Sequence, residues 1–160
     1  MLEDGVEFVR LDECLPLNLG PLSGLNYRWI PMPEGINRYL LTVKNLPAGT
    51  YEIRAEGRLL GKSTADRLAA GLNISSMTAD GWEPGGPWDA QSTVVKELVD
   101  ARDKLWMGAL LRTHFLTTHP QLAELESQTR EANEKIGAQQ KATAKPYPYH
   151  FQIRRVSVKP

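Results

Sequence analysis

The stretch Ile36–Ile74, INRYLLTVKNLPAGTYEIRAEGRLLGKSTADRLAAGLNI, decides how this chain is read. Tyr39, Leu41 and Val43 share one parity while Arg38, Leu40, Thr42 and Lys44 share the other, the period-two pattern of a half-buried strand. Tyr51, Ile53 and Ala55 repeat the pattern against Thr50, Glu52, Arg54 and Glu56. Between them, Leu46-Pro47-Ala48-Gly49 predicts a turn, because proline fixes φ early and glycine accepts an unusual φ at the end. Glu56-Gly57 fits a two-residue reversal that returns the chain through Leu59 and Leu60 as a short third strand. Ser63, three residues before Asp66, resembles a capping box, so a short helix is expected to start there and to end at Gly71. Almost every residue in this stretch has a structural use, and none is placed as a nucleophile or metal ligand.

Outward from this stretch, Val6–Leu11 predicts an opening strand. Leu15–Gly35 is rich in proline and glycine yet carries leucines, Tyr27, Trp29, Ile30 and Met32, which predicts a loop packed across the sheet. From Trp88 the period changes. Val94, Val95, Leu98, Ala101, Leu105, Trp106, Ala109 and Leu110 recur at steps of three and four, the mark of an amphipathic helix. With Asp89 as N-cap it is expected to run to about Thr117, roughly 40 Å. Thr118-His119-Pro120 breaks it, and Pro120 fits the first position of a second, polar helix with a thin stripe of Leu122, Leu125, Ala132 and Ile136. Two such helices make an antiparallel hairpin. The segment HFQIRRVSV returns as a final strand, with a bulge or strand end expected near Arg154. The expected fold is therefore α+β: a small antiparallel sheet with one short helix, a long helical hairpin and a C-terminal strand. One domain is expected over residues 1–160, divided into a β-rich part (1–76), a Trp/Gly/Pro loop (77–88), the hairpin (89–142) and the returning strand (147–158).

Composition narrows the function. At 160 residues the chain can bury on the order of two-thirds of its unfolded surface. Nineteen basic residues balance 19 acidic ones, so bulk charge points to no nucleic acid and no anionic membrane surface. No apolar run approaches the roughly 20 residues that span a bilayer. MLEDGVEF lacks the basic and apolar segments of a signal peptide, and these residues fix no compartment. Cys14 is the single cysteine, which excludes an internal disulfide and suggests a small buried apolar side chain.

One segment is not explained as core: Met77–Asp89, which holds Trp82 and Trp88 with Asp80, Glu83 and Asp89 on a Gly/Pro-rich loop. Three readings stand together. Trp82 and Trp88 plug the gap between sheet and helix while Asp89 caps the helix; or Trp82, Trp88, Asp80 and Glu83 bind a glycan, indoles on sugar faces and carboxylates on hydroxyls; or Asp80, Glu83 and Asp89 serve as acid and base in glycoside hydrolysis. His114 and His119 are five residues apart, about 140° off a shared helical face, which makes a poor metal pair. His119 is expected at the helix end and His150 at a strand edge. Arg154-Arg155 suggests ion pairing, and Glu124–Lys141 a solvated helix face. Ser63, Ser75 and Ser76 lack the Gly-x-Ser-x-Gly setting of a nucleophile elbow. No metal and no cofactor is expected.

VEFVRLDECLP (Val6–Pro16), INRYLLTVKNLPAGTYEIRAEGRLLG (Ile36–Gly61) and STADRLAAGLNI (Ser63–Ile74), with GGPWDAQ (Gly85–Gln91) and YHFQIRRV (Tyr149–Val156), resemble the C-terminal extension of bacterial, planctomycete-like SGNH (GDSL-type) esterase/lipase-like hydrolases. That family's chemistry uses a serine in a Gly-Asp-Ser context and an Asp-x-x-His pair. Neither occurs here: no Gly-Asp-Ser triplet exists, and no Asp stands three residues before His114, His119 or His150. The resemblance implies an accessory region with no catalytic residue of its own, whose partner is the catalytic SGNH domain of a parent enzyme. Leucines left open by an absent interdomain contact would promote a homodimer.

Overall fold

The computed structural model describes residues 5–17, 35–80 and 85–156. The fold is α+β. Strands β1 (Gly5–Arg10), β6 (Tyr149–Arg155), β3 (Thr50–Ala55) and β4 (Arg58–Thr64) lie in that order in one sheet, each neighbouring pair antiparallel. β2 (Leu40–Leu41) and β5 (Leu72–Asn73) form a separate two-stranded antiparallel ladder. Helix α1 (Ala65–Ala70) follows β4, and α2 (Pro87–Phe115) and α3 (Leu122–Thr143) come before β6. No described helix is long and apolar enough to cross a membrane. The chain divides into two compact units, Met1–Thr93 with Pro146–Pro160 and Val94–Lys145.

The core of the first unit follows from strand parity. Tyr51, Ile53 and Ala55 of β3 and Tyr149, Phe151 and Ile153 of β6 are buried on one sheet face, where Ile53 sits opposite Ile153. Phe8 of β1 pairs with Phe151, and the two rings stack at 5.4 Å. A register shift at Ile53/Arg54 leaves Leu60 as an extra residue of β4 and turns that fully buried side chain inward. The β3–β4 turn uses Glu56 (φ 50°) and Gly57 (φ 77°), both left-handed as such a reversal requires. Glu56 tolerates this because it is tied to β6: its N–H donates to the His150 carbonyl (2.9 Å) and its carboxylate accepts from the His150 N–H (2.6 Å).

Trp88, in the first turn of α2, closes this core and is fully buried. Its ring meets Tyr39 edge-on at 4.9 Å, lies 6.0 Å from Tyr149 and stacks against Phe151 at 6.1 Å, while its Nε1–H donates to the Ser75 carbonyl (3.0 Å). Gly86 makes room for it: a Cβ there would fall 2.2 Å from Trp88 Cζ2. Pro87 supplies the first helical φ.

Several local expectations are corrected. Only Leu40–Leu41 of the first expected strand is extended in a ladder, and the Leu46–Gly49 turn closes no hairpin with β3. Val43 N–H donates instead to the Leu68 carbonyl (3.0 Å), and β6 takes the free edge of β3. The helix cap is Thr64, whose hydroxyl accepts from Arg67 N–H, because Ser63 points into the core. Gly71 (φ 99°) does end α1. α2 starts at Pro87 and not after Asp89, so Asp89 lies in its first turn, where a carboxylate favours the helix N-terminus. α3 starts at Leu122, two residues after Pro120, and α2 ends at Phe115. The packed loop read over 15–35 falls mostly on residues 18–34, outside the described residues.

Removing the indole should empty the centre of the first unit. Trp88→Ala is expected to lower unfolding free energy by about 3–5 kcal/mol, and Gly86→Ala, through the clash with the ring, by about 1–3 kcal/mol. Urea denaturation followed by circular dichroism measures both, and a loss below about 1 kcal/mol for Trp88→Ala would contradict this packing.

Candidate functional site

The loop residues expected to meet a ligand are dispersed in role. Trp88 is enclosed by Tyr39, Tyr149 and Phe151, so no indole face is open to a sugar ring; burial corrects the ligand-binding expectation for this residue. Asp89 is half-buried in the first turn of α2, and its Oδ2 lies where a Cβ on Gly85 would stand (2.3 Å). Asp80 is exposed on a turn held by Thr78, whose Oγ1 donates to the Asp80 carbonyl (2.9 Å) and accepts from the Asp80 N–H (3.3 Å). Trp82 and Glu83 lie outside the described residues.

The histidines are separated in the same way. His114 rests edge-on against Phe115 (4.9 Å), and His119 Nδ1 accepts from Gln121 N–H (3.2 Å) just before α3. His150 sits in an interior strand of the sheet, not at its edge, with Nε2 3.8 Å from Glu7 Oε2. Among the described residues no three His, Cys, Asp or Glu side chains are gathered to hold a metal ion. Arg154 pairs with Glu7 (2.8 Å), which holds the Glu7 carboxyl below its usual range, and Arg155 donates to the Ala48 carbonyl (2.7 Å). Cys14 is exposed, contrary to the buried position expected of it.

One polar cluster among the described residues carries no motif. Tyr39 donates its hydroxyl to Asp12 Oδ2 (2.5 Å), Arg10 donates to Asp12 Oδ1 (2.8 Å) and to the Leu40 carbonyl (2.8 Å), and the Arg10 guanidinium stands 4.4 Å over the Tyr39 ring. Burial, reinforced by the Asp12 carboxylate, raises the Tyr39 pKa. Burial also pushes the Tyr149 phenol up to about 12, and its hydroxyl donates to Gln91 Oε1 (2.8 Å). A catalytic phenol needs a pKa drawn toward the working pH. These two are driven the other way, and Asp12 and Arg10 are both engaged. The cluster is a clamp between the end of β1, β2 and the Trp88 core.

The second unit holds open space. A furrow of about 430 Å³ is lined by Leu105, Trp106, Ala109 and Thr113 of α2 and Glu126, Thr129, Arg130 and Asn133 of α3. A second, of about 400 Å³, shares Trp106 and Asn133 and reaches Val99 and Gln140. Arg102 crosses between the helices, donating to Asn133 Oδ1 (2.9 Å) and Gln140 Oε1 (2.7 Å), and Arg112 donates to Thr129 Oγ1.

No protein-family model matches the chain, and no curated protein matches it in sequence. A solved structure does. BT4096, a gut microbial diltiazem-metabolizing enzyme, aligns with a TM-score of 0.67 at 17% identity, over 95% of this chain and 43% of that one. The two share a fold. The chain thus spans less than half the length of the enzyme it matches.

The buried phenols set an alkaline limit. Because their pKa values are raised above the unfolded value of 10, their contribution to folding is complete below pH 10 and is lost as pH climbs toward 12. The urea midpoint is expected to fall across this window. Tyr149→Phe should begin about 1 kcal/mol less stable at pH 8, through the lost Gln91 hydrogen bond, yet show a flatter decline. An equally steep profile in the variant would contradict the assignment.

Proposed function

We propose that this chain is the C-terminal accessory region of an SGNH-type hydrolase, non-catalytic by itself, supplying scaffold surface and substrate-side walls to a catalytic domain. What supports the reading as part of a longer enzyme is the shared fold, 95% of the chain aligning with under half of such an enzyme; the SGNH assignment rests on the sequence resemblance. Among the described residues, Asp12, Arg10, Tyr39, Tyr149 and Gln91 are meanwhile used in structure. The sequence landmarks support it. Phe8, Tyr51, Ile53, Trp88 and Phe151, all within the segments that resemble the family's extension, pack on one another or on the same core. Their kinship would then reflect a preserved body and not a preserved active site.

The test is hydrolysis of p-nitrophenyl acyl esters and of diltiazem by the pure 160-residue chain, and by the same chain expressed with whatever reading frame precedes its Met1 codon. The expected result is no turnover above buffer for the chain alone, and turnover for the longer protein through a Gly-Asp-Ser serine. Rapid hydrolysis by the chain alone, abolished by one Ser→Ala substitution within it, would overturn the proposal.

A further inference from the structure

Helix α2 is apolar on more than one side. Leu105 and Ala109 face the furrow shared with α3. Val99 (42% exposed) and Trp106 (66%) border the furrows yet stand open, as do Met107 (57%), Leu110 (49%), Leu111 (56%) and Phe115 (73%) elsewhere on the helix. One partner helix covers only one apolar stripe, so the second apolar side of α2 is left open. α3 differs: it contributes no exposed large hydrophobic, and its outward positions include Glu124, Gln128, Glu131 and Lys135. α3 thus presents a polar outward face and α2 a partly apolar one.

Trp106, Met107, Leu110 and Leu111 together leave on the order of 500 Å² open, the size of the largest and often functional apolar patch of a monomer, and a polar rim around them brings each side toward the about 800 Å² of a standard specific interface. The pattern is also self-complementary. Asp103 and His114, eleven residues apart, lie within about 20° of one helical face and flank the apolar middle. Asp103 is exposed and makes no hydrogen bond or ion pair with a described residue, and His114 makes only its ring contact with Phe115. The pairs Asp103/His114, Trp106/Leu111 and Met107/Leu110 are all symmetric about one point, between Gly108 and Ala109. An antiparallel two-fold through that point matches acid to base at both ends and apolar to apolar between them, as an isologous interface requires.

We propose that the open face of α2 is a self-association surface on which two copies of the chain pair antiparallel through Trp106, Met107, Leu110 and Leu111, with Asp103 of each copy meeting His114 of the other. Four helices then stack as α3, α2, α2 and α3, with the polar face of α3 outermost. The pairing requires nothing of the hydrolase reading, and its readout is mass, independent of ester turnover.

Sedimentation velocity from about 1 to 100 µM tests it, since a standard-size interface supports affinities in or below that range. The expected result is a concentration-dependent dimer that Leu110→Glu or Trp106→Glu weakens at least about tenfold with an unchanged circular dichroism spectrum, both positions being exposed. Asp103→Lys should weaken the dimer, and Asp103→Lys with His114→Glu in the same chain should restore it. A wild-type monomer at 100 µM would overturn the proposal and leave this face to a different domain. A dimer indifferent to the two Glu variants, or a double reversal no tighter than the single one, would overturn it as well.

Discussion

The structure depends on placing one indole. Trp88 enters the core from the first turn of α2, and the rings it meets come from two distant parts of the chain: Tyr39 before β2, and Tyr149 and Phe151 on β6. Its N–H is satisfied by the Ser75 carbonyl, so the largest apolar side chain of the core is buried without an orphaned donor. The requirement reaches into the local sequence. Gly86 must lack a Cβ because the ring lies over it, and Pro87 must begin the helix because Trp88 has to be within its first turn. The Gly-Gly-Pro-Trp run is explained by packing.

Polar groups around this core are matched in the same spirit. Asp12 joins Arg10 to Tyr39, Gln91 receives Tyr149, and Asn37 and Asn73 tie the two-stranded ladder to its surroundings through Leu17 and Tyr39. Ser63 Oγ and Arg112 Nε are buried without a partner among the described residues. Among the described residues neither stands beside a group that would make it reactive: Ser63 points into the apolar core, and Arg112 lies between the hairpin helices. Reactive sites are assembled from convergent, perturbed groups, and the perturbed groups of this core are phenols made less acidic by burial.

Much of this was legible in the residues. Tyr51, Ile53 and Ala55 alternate as a buried strand face must, Glu56-Gly57 reverses the chain, and Gly71 ends α1 through its positive φ. What escaped was the choice of partners. β3 pairs with β6, about a hundred residues away, and that preference depends on Phe151 and Ile153 offering a buried face, which no pattern between Ile36 and Ile74 reveals. Ser63 and Thr64 differ as caps only through which of them points inward, and that is set by the bulge at Leu60. The Trp/Gly/Pro loop was ambiguous because an indole suits a core and a sugar site equally well until its neighbours are known. The Arg10–Asp12–Tyr39 clamp has no spacing signature, since its members meet only after β1 and β2 are in place.

Hydrogen exchange at the indole N–H groups, read by NMR with assignments from single Trp→Phe variants, tests the central claim most directly. Trp88 Nε1–H should exchange only through global unfolding, slower than the exposed Trp106 of the Leu110→Glu variant, which does not self-associate, by at least about a thousandfold. Equal exchange rates at the two rings would mean that Trp88 is not enclosed, and the account of this fold as a body organised around it would fail.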